Sequence, residues 1–184
     1  GLEIAQQKGI TVSTDPSYRS NLWKYGKDGQ EVLAELTGLS NIFIGGVNEI
    51  NGILKTNFEP TGNGFIEASK ELIATYPSIQ KVFDKVRTGV SASWQKIYGQ
   101  AWTGTEYITT IELEISNVID RIGTGDAFAA GVIYGLGNYE DKETLEFANS
   151  SCALKHTILG DNSLVSLEEV VEVMQGNTGG RIKR

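Results

Sequence analysis

The stretch VIDRIGTGDAFAAGVIYGL, residues 118–136, joins an apolar segment to a glycine-rich turn, an aspartate and a helix that begins at once. Gly123 and Gly125 allow the backbone to come close to a ligand, because glycine has no side chain. The first N–H groups of a helix point outward, and the helix dipole favours negative charge there. The stretch therefore predicts an anion-binding turn at residues 123–126.

Asp126 is the residue of this turn that anion binding does not explain. A carboxylate is a poor ligand for phosphate. It is a good general base for a hydroxyl group that attacks a phosphoryl group bound beside it. A structural role is the alternative, since aspartate is common in the first turn of a helix and Thr124 can serve as a simple N-cap. The residues alone leave both roles open.

Two other nucleotide-binding motifs are absent from the sequence. The dinucleotide fingerprint G-x-G-x-x-G needs a glycine where this chain has Phe128, and its acidic partner falls at 144–146, inside a predicted helix. The P-loop pattern G-x-x-x-x-G-K-[ST] does not occur. An NAD-dependent oxidoreductase and a Walker-type nucleotide site are therefore not expected.

The composition excludes several classes of protein. The chain has 184 residues, 40% of them hydrophobic, and a net charge of −7, which allows one domain with a sizeable core. An acidic chain without a lysine or arginine run lacks the charges that bind nucleic acid, and no apolar run approaches the roughly 20 residues of a membrane span. The single cysteine, Cys152, cannot form an intrachain disulfide. We therefore expect a cytoplasmic protein that binds neither nucleic acid nor a membrane.

Predicted helices alternate with predicted strands along the chain. Apolar spacing and glycine or proline stops predict helices at 2–9, 28–39, 47–55, 64–77, 125–137, 142–158 and 166–175. Short apolar runs predict strands at 10–15, 41–45, 79–86 and 116–120, and a hairpin from 96–102 and 105–113. This alternation favours an α/β fold with a mostly parallel sheet, whose ligands bind beyond the carboxyl ends of the strands.

The segment DRIGTGDAFAAGVIYGL, residues 120–136, resembles the second signature of the PfkB (ribokinase-like) carbohydrate kinases, D-[TS]-x-G-[AT]-G-D-[AS]-F. The resemblance implies a ribokinase-like three-layer α/β/α fold with a mostly parallel sheet. It also implies a kinase that uses ATP, Mg²⁺ and a small-molecule sugar substrate. On this basis we expect transfer of a phosphoryl group from ATP to a sugar hydroxyl.

The resemblance assigns roles to residues in and before the turn. Asp126 matches the aspartate that deprotonates the sugar hydroxyl. Gly123, Thr124 and Gly125 match the turn that forms the anion hole for the transferred phosphoryl group. Asp120 matches the aspartate that, in many members, helps to hold a monovalent cation, so K⁺ is a further expected cofactor.

Three further segments are similar to the family. FANSSCALKHTILGD resembles the adenine-side helix and the loop after it, which implies nucleotide contacts for Asn149 and Gly160. DPSYRSNLW is similar to a family motif that implies a place for Arg19 near the phosphates or an acidic substrate. GGVNEINGIL resembles the N-x-x-E segment, which implies that Glu49 helps to organise Mg²⁺ through water.

ALKHT and SLVSLEEV resemble the 2-keto-3-deoxygluconate kinase branch of this family in particular. This implies a sugar acid as substrate. Another PfkB sugar kinase, of the fructokinase or ribokinase type, is one alternative. A non-catalytic nucleotide-binding fragment that needs its missing N-terminal part is another. The resemblance leaves open whether the protein forms a homo-oligomer.

The chain also departs from the family. Gly46 stands where the asparagine of N-x-x-E is expected, Ser17 replaces another asparagine, and Leu159 replaces a common proline. The first strands, the lid and most sugar-binding residues of the family have no counterpart. We therefore expect 1–175 to be the C-terminal part of one kinase domain and 176–184 to be a tail. The exposed sheet edge is expected to make this segment unstable alone.

Other polar side chains have roles that the sequence leaves open. Arg87 and Lys155 are candidate phosphate contacts or plain surface charges. His156, near the end of a predicted helix, is expected to cap the helix or to face its dipole. For Arg19 and Glu49 the structural alternatives are a loop anchor and a solvated helix residue.

Overall fold

The predicted helices are all present in a computed structural model, which describes residues 1–89 and 91–177. They are α1 (Leu2–Gln7), α2 (Gly29–Gly38), α3 (Val47–Leu54), α4 (Gly64–Thr75), α5 (Thr124–Leu136), α6 (Asp141–Lys155) and α7 (Leu167–Met174). A short 3₁₀ helix, Ser20–Trp23, is an addition to the prediction. From residue 178 onward the expected tail lies outside the described residues.

The strands follow the prediction less closely. They are β1 (Ser13–Thr14), β2 (Ile42–Ile44), β3 (Lys81–Gly89), β4 (Gln95–Trp102), β5 (Tyr107–Thr109) and β6 (Leu113–Ile115). The strand predicted at 10–15 contains only two strand residues. The strand predicted at 116–120 is wrong. There the N–H groups of Ile119 and Asp120 donate to the carbonyl of His156, at 2.8 and 3.3 Å, and not to a neighbouring strand.

The chain forms two compact units. The first comprises Gly1–Asp84 and Ala101–Ile108, and the second comprises Lys85–Gln100 and continues from Thr109.

No helix in the described ranges is both long enough and apolar enough to cross a bilayer.

The first unit contains the parallel part of the sheet. Here β1 pairs with β2 and β2 pairs with β3, both in parallel. Apolar side chains of β2, α3, α4, β3 and the connection before β3 form its core: Phe43, Val47, Ile50, Ile53, Phe65, Ala68, Leu72, Ile79 and Val82. Ile4 and Ile10, by contrast, are 56% and 55% exposed. The expected instability of this segment on its own stays a prediction.

The second unit contains an antiparallel pair and two closely packed helices. β4 and β6 run antiparallel, with Gln95 opposite Ile115. Parallel and antiparallel pairs thus occur together, and the predicted α/β class is confirmed. α5 lies against α6 so closely that a Cβ atom on Gly131 would lie 2.6 Å from Cα of Ala148. Since real side chains do not approach this closely, glycine sets the spacing of the two helices and thereby the position of the N-terminus of α5.

Candidate active site

The glycine-rich turn of residues 120–126 leads directly into α5. Gly123 is the residue before the helix and has a φ of +74°, in the left-handed region that favours glycine. A Cβ atom at this position would overlap the carbonyl oxygen of Asp161. Both the backbone conformation and the neighbouring loop therefore require glycine here.

Thr124 closes the turn from inside. Its side chain is buried, and its hydroxyl donates to the carbonyl of Arg121 at 3.0 Å. The N-cap position belongs to Gly123, which has no side chain to accept a hydrogen bond. The prediction that Thr124 is the N-cap of α5 is therefore wrong, and the Thr124 hydroxyl stabilises the turn instead.

The start of α5 leaves hydrogen-bond donors unused. In the part of the chain that the structure describes, the N–H groups of Gly125 and Asp126 have no backbone acceptor, as expected for the first turn of a helix without a cap. The Asp126 side chain is exposed in the same turn. A site for a negatively charged group therefore lies next to an accessible carboxylate.

Cationic side chains surround this turn. Nζ of Lys85 lies 3.6 Å from the position that a Cβ atom on Gly125 would take. Burial lowers the pKa of Arg87, and the charge of Arg121 lowers it further. None of the three side chains forms an ion pair within residues 1–89 and 91–177. Their charges are available to an anion.

Only Arg87 of these three cations was a candidate from the sequence. Lys85 and Arg87 are two positions apart on β3, and alternate residues of a strand point to the same face. This spacing was the signal that could have identified Lys85. Arg121 carries no comparable signal, because it lies in a turn whose backbone path the sequence does not define.

Asp120 joins the turn to the loop that follows α6. Its Oδ1 accepts a hydrogen bond from the N–H of Ile122 at 3.0 Å, and its Oδ2 accepts one from the N–H of Gly160 at 2.9 Å. These two bonds, in this order, are the main causes that hold the pKa of Asp120 below its usual value. The structure thus brings the predicted residues Asp120 and Gly160 together beside the turn.

Asn149 is held inside the second unit. Its side chain is 1% exposed, and Nδ2 donates to the hydroxyl of Thr110 at 3.1 Å. Its Oδ1 is buried without a partner among the described atoms. This arrangement ties α6 to the connection between β5 and β6, and the predicted contact of Asn149 with the nucleotide base stays a prediction.

Two predicted residues, Arg19 and Glu49, belong to the first unit. Arg19 is exposed just before the 3₁₀ helix. Oε2 of Glu49 accepts a hydrogen bond from the N–H of Gly46 at 3.0 Å, so Glu49 caps the N-terminus of α3. A Cβ atom on Gly46 would lie 2.9 Å from Oδ2 of Asp84, so a larger residue here would require the Asp84 side chain to shift. A cavity of about 200 Å³ adjoins Glu49, with Tyr18 also in its wall. The predicted roles of Arg19 and Glu49 in binding stay predictions.

The described residues contain no cluster of three or more His, Cys, Asp or Glu side chains that could hold a metal ion. Mg²⁺ needs no such cluster in a phosphoryl-transfer site, because one or two carboxylates and the substrate phosphates usually hold it. Only Oε2 of the Glu49 carboxylate is engaged in a hydrogen bond, which leaves Oε1 for a water ligand of Mg²⁺.

The model of the pfkB family of carbohydrate kinases matches residues 2–166, nearly the whole chain. The chain belongs to this family. Among curated pfkB relatives, the 2-dehydro-3-deoxygalactonokinase of Haloferax volcanii is 28% identical over 97% of this chain and 52% of its own length. The 2-dehydro-3-deoxygluconokinase of Bacillus subtilis is 29% identical over 83% of this chain and 43% of its own length. The chain thus spans about half the length of the curated relatives it matches.

Solved structures of pfkB kinases share the fold. The 2-dehydro-3-deoxygluconokinase of Thermotoga maritima matches with a TM-score of 0.85 and 28% identity, over 95% of this chain and 54% of that chain. A pfkB carbohydrate kinase of Listeria grayi matches with a TM-score of 0.82 and 27% identity, over 95% of this chain and 53% of that one. The predicted ribokinase-like α/β fold is confirmed by these matches.

Proposed function

We propose that this pfkB chain forms the phosphoryl-transfer part of an ATP-dependent kinase that acts on 2-keto-3-deoxygluconate or a related sugar acid. The observation that carries the proposal is the turn at 123–126, where unused N–H groups lie beside the exposed carboxylate of Asp126. The names of the curated relatives, which are 2-dehydro-3-deoxy sugar kinases, support the substrate class.

The turn divides the reaction between two groups. The N–H groups of Gly125 and Asp126 stabilise the charge that develops on the transferred phosphoryl group, and Lys85 adds positive potential. The carboxylate of Asp126 accepts the proton of a primary sugar hydroxyl. The hydroxyl oxygen forms a bond to the γ-phosphorus as the bond from that phosphorus to the leaving oxygen of ADP breaks in line.

Mg²⁺ is the metal that this chemistry requires, and when bound it neutralises charge on the phosphates of ATP. The residue that we assign to organising it is Glu49, through the oxygen that does not cap α3. Arg19, with its exposed guanidinium, suits a phosphate or the carboxylate of a sugar acid. The single cysteine of the protein, Cys152, is free and buried, which fits a cytoplasmic location.

A second candidate function is a nucleotide-binding segment that needs its N-terminal part for turnover. The coverage of the relatives, 52% and 43% of their lengths, favours this alternative for residues 1–184 alone. A third candidate, a kinase for another sugar such as a fructokinase or ribokinase type, shares the turn and differs only in the sugar pocket.

A coupled ATP assay with 2-keto-3-deoxygluconate, together with titration of ATP binding, tests the proposal on the 184-residue chain. We expect Asp126→Asn to abolish turnover while ATP binding stays measurable, because the carboxylate serves the sugar hydroxyl and not the phosphate. Glu168→Gln, which alters an exposed carboxylate in the first turn of α7, is the matched control and should keep full turnover.

The outcomes separate the candidates. If the wild-type chain shows turnover and Asp126→Asn retains it, Asp126 is only a helix-start residue. ATP binding without turnover would support the second candidate. Turnover of fructose or ribose with none of the sugar acid would support the third. Absence of ATP binding would overturn all of them for this chain.

A further inference from the structure

Lys155, the last residue of α6, is a charged side chain that the proposed reaction does not use. It is 0% exposed. Its Nζ donates to the carbonyl oxygens of Ile158 and Gly160, at 3.0 and 2.6 Å. Lysine is almost never fully buried unless its charge is compensated, because transfer of an ammonium group out of water is costly. The prediction of Lys155 as a surface charge or a phosphate contact is therefore wrong, and the loop after α6 contains a compensated positive charge.

The loop that receives this charge also supports the glycine-rich turn. Gly160 accepts from Lys155 through its carbonyl and donates to Oδ2 of Asp120 through its N–H, at 2.9 Å. Oδ1 of Asp120 accepts in turn from the N–H of Ile122. The next residue of the loop, Asp161, has its carbonyl oxygen against Gly123. Hydrogen bonds thus connect the ammonium group, through the carboxylate of Asp120, to Ile122, the residue before Gly123.

The oxygens around this ammonium group are those that a monovalent cation prefers. Carbonyl oxygens can replace the hydration shell of K⁺, and carboxylates suit hard cations. The charge of Lys155 also contributes to the lowered pKa of Asp120, after the larger effects of the backbone hydrogen bonds. Two of the carbonyl oxygens are already occupied by Nζ, and a K⁺ ion beside it would meet a like charge in a buried setting. The residues of this loop therefore do not fit the K⁺ that the family resemblance implies.

We propose that the ammonium group of Lys155 takes the place of a bound monovalent cation in this protein. It is a positioning residue, since it holds the carbonyls of Ile158 and Gly160 and, through Asp120, the turn that carries Asp126. The effect of Lys155 on ion binding is independent of the proposed function. Its effect on turnover rests on that function.

The test is the thermal midpoint of the 184-residue chain in KCl, NH₄Cl and choline chloride at equal ionic strength. The wild type should have the same midpoint in all three salts. Lys155→Ala should have a lower midpoint in choline chloride that K⁺ or NH₄⁺ raises in a saturable way. At an ion concentration ten times its dissociation constant, the folding equilibrium should shift about tenfold toward the folded state.

Leu145→Ala is the matched control, because Leu145 is equally buried on α6 but uncharged. It should lower the midpoint by the same amount in every salt. Lys155→Met removes the charge while filling most of the volume, and it serves where the alanine variant does not fold in choline chloride. If neither variant folds better in K⁺ or NH₄⁺ than in choline, or if K⁺ raises the midpoint of the wild type itself, the proposal is wrong.

Turnover gives a separate result. In an active preparation, Lys155→Ala should lower kcat and K⁺ or NH₄⁺ should restore it, while wild-type kcat is the same in all three salts. If the midpoint of Lys155→Ala depends on the salt while the wild-type chain has no turnover, that result supports Lys155 as a built-in cation and counts against the proposed kinase activity of this chain alone.

Discussion

The N-termini of α5 and α7 are two helix starts in the same unit, and their N–H groups are used differently. In α7, the hydroxyl of Ser166 accepts from the N–H of Glu169 at 3.3 Å, and the Glu169 carboxylate accepts from the N–H of Ser166 at 2.8 Å. α5 begins after Gly123 and has no side-chain cap. In a helix with its own cap, first-turn N–H groups bond to the capping side chains and stabilise the helix. At an uncapped start these N–H groups can bind a ligand.

The uncapped start of α5 needs support from elsewhere, and the loop after α6 supplies it. Asp161 packs its carbonyl against Gly123, and Asp120 accepts hydrogen bonds from both segments. The turn is therefore held by residues outside the helix. Changes at the two helix starts should have different consequences for stability and binding.

Of the variants at the two helix starts, Gly123→Ala should lower the free energy of unfolding most. A methyl group there would overlap the carbonyl oxygen of Asp161 and would force a non-glycine residue to a φ of +74°. We expect a loss of about 2 kcal/mol or more in the free energy of unfolding, measured in urea. ATP binding should be lost as well, because the turn can no longer form.

Gly125→Ala is the control for this variant. Its Cβ atom would meet Nζ of Lys85 at 3.6 Å, an ordinary contact, and the residue is helical. The free energy of unfolding should change by less than about 1 kcal/mol. Equal losses in the two variants would show that the turn does not depend on the contact with Asp161.

Ser166→Ala should have a smaller effect at the other helix start. Loss of the N-cap hydroxyl should lower the free energy of unfolding by about 1 kcal/mol. ATP binding should not change, since α7 uses its donors internally. The exposed Ser163, changed to alanine, is the control and should alter the free energy of unfolding by less than about 0.5 kcal/mol. Weaker ATP binding in Ser166→Ala alone would contradict this division between the two helix starts.

Asp120→Asn should have the smallest effect, and it should depend on pH. Because the folded-state pKa of Asp120 is lowered, its contribution to stability is complete above the unfolded value of about 3.9 and disappears as the pH falls through the folded value. The difference in unfolding free energy between wild type and Asp120→Asn should therefore be constant near neutral pH and should shrink below about pH 4. Urea midpoints across the acid range measure it, and a difference that does not vary with pH would contradict the role of the two hydrogen bonds.

Much of the fold could be predicted from the sequence, because helices and caps depend on residues that are close together in the chain. The helices of the described ranges follow apolar spacing, most of them end near a glycine or a proline, and the capping box of α7 is visible as Ser166 followed by Glu169. The strand predicted at 116–120 failed for a physical reason. It contains the apolar pair Val118 and Ile119, but the N–H groups of Ile119 and Asp120 donate to the carbonyl of His156, and that of Val118 donates to the carbonyl of Ser93.

The candidate site was predictable only in part. The turn and Asp126 are contiguous in sequence, so one motif identified them. Lys85 was missed because its nearness to the turn depends on how β3 is folded, and Arg121, inside the turn, was missed because no sequence pattern marks it. The sequence left Lys155 open between a phosphate contact and a surface charge, and its carbonyl partners explain its burial.

The sequence by itself determined which chemical groups are present: a glycine-rich turn, a carboxylate at a helix start and the signature of a carbohydrate kinase family. The tertiary structure decided which of those groups meet. Asp120 and Gly160 are 40 positions apart and are joined by a single hydrogen bond. That bond lies where the loop after α6 meets the turn before α5, and no pattern of neighbouring residues indicates this meeting.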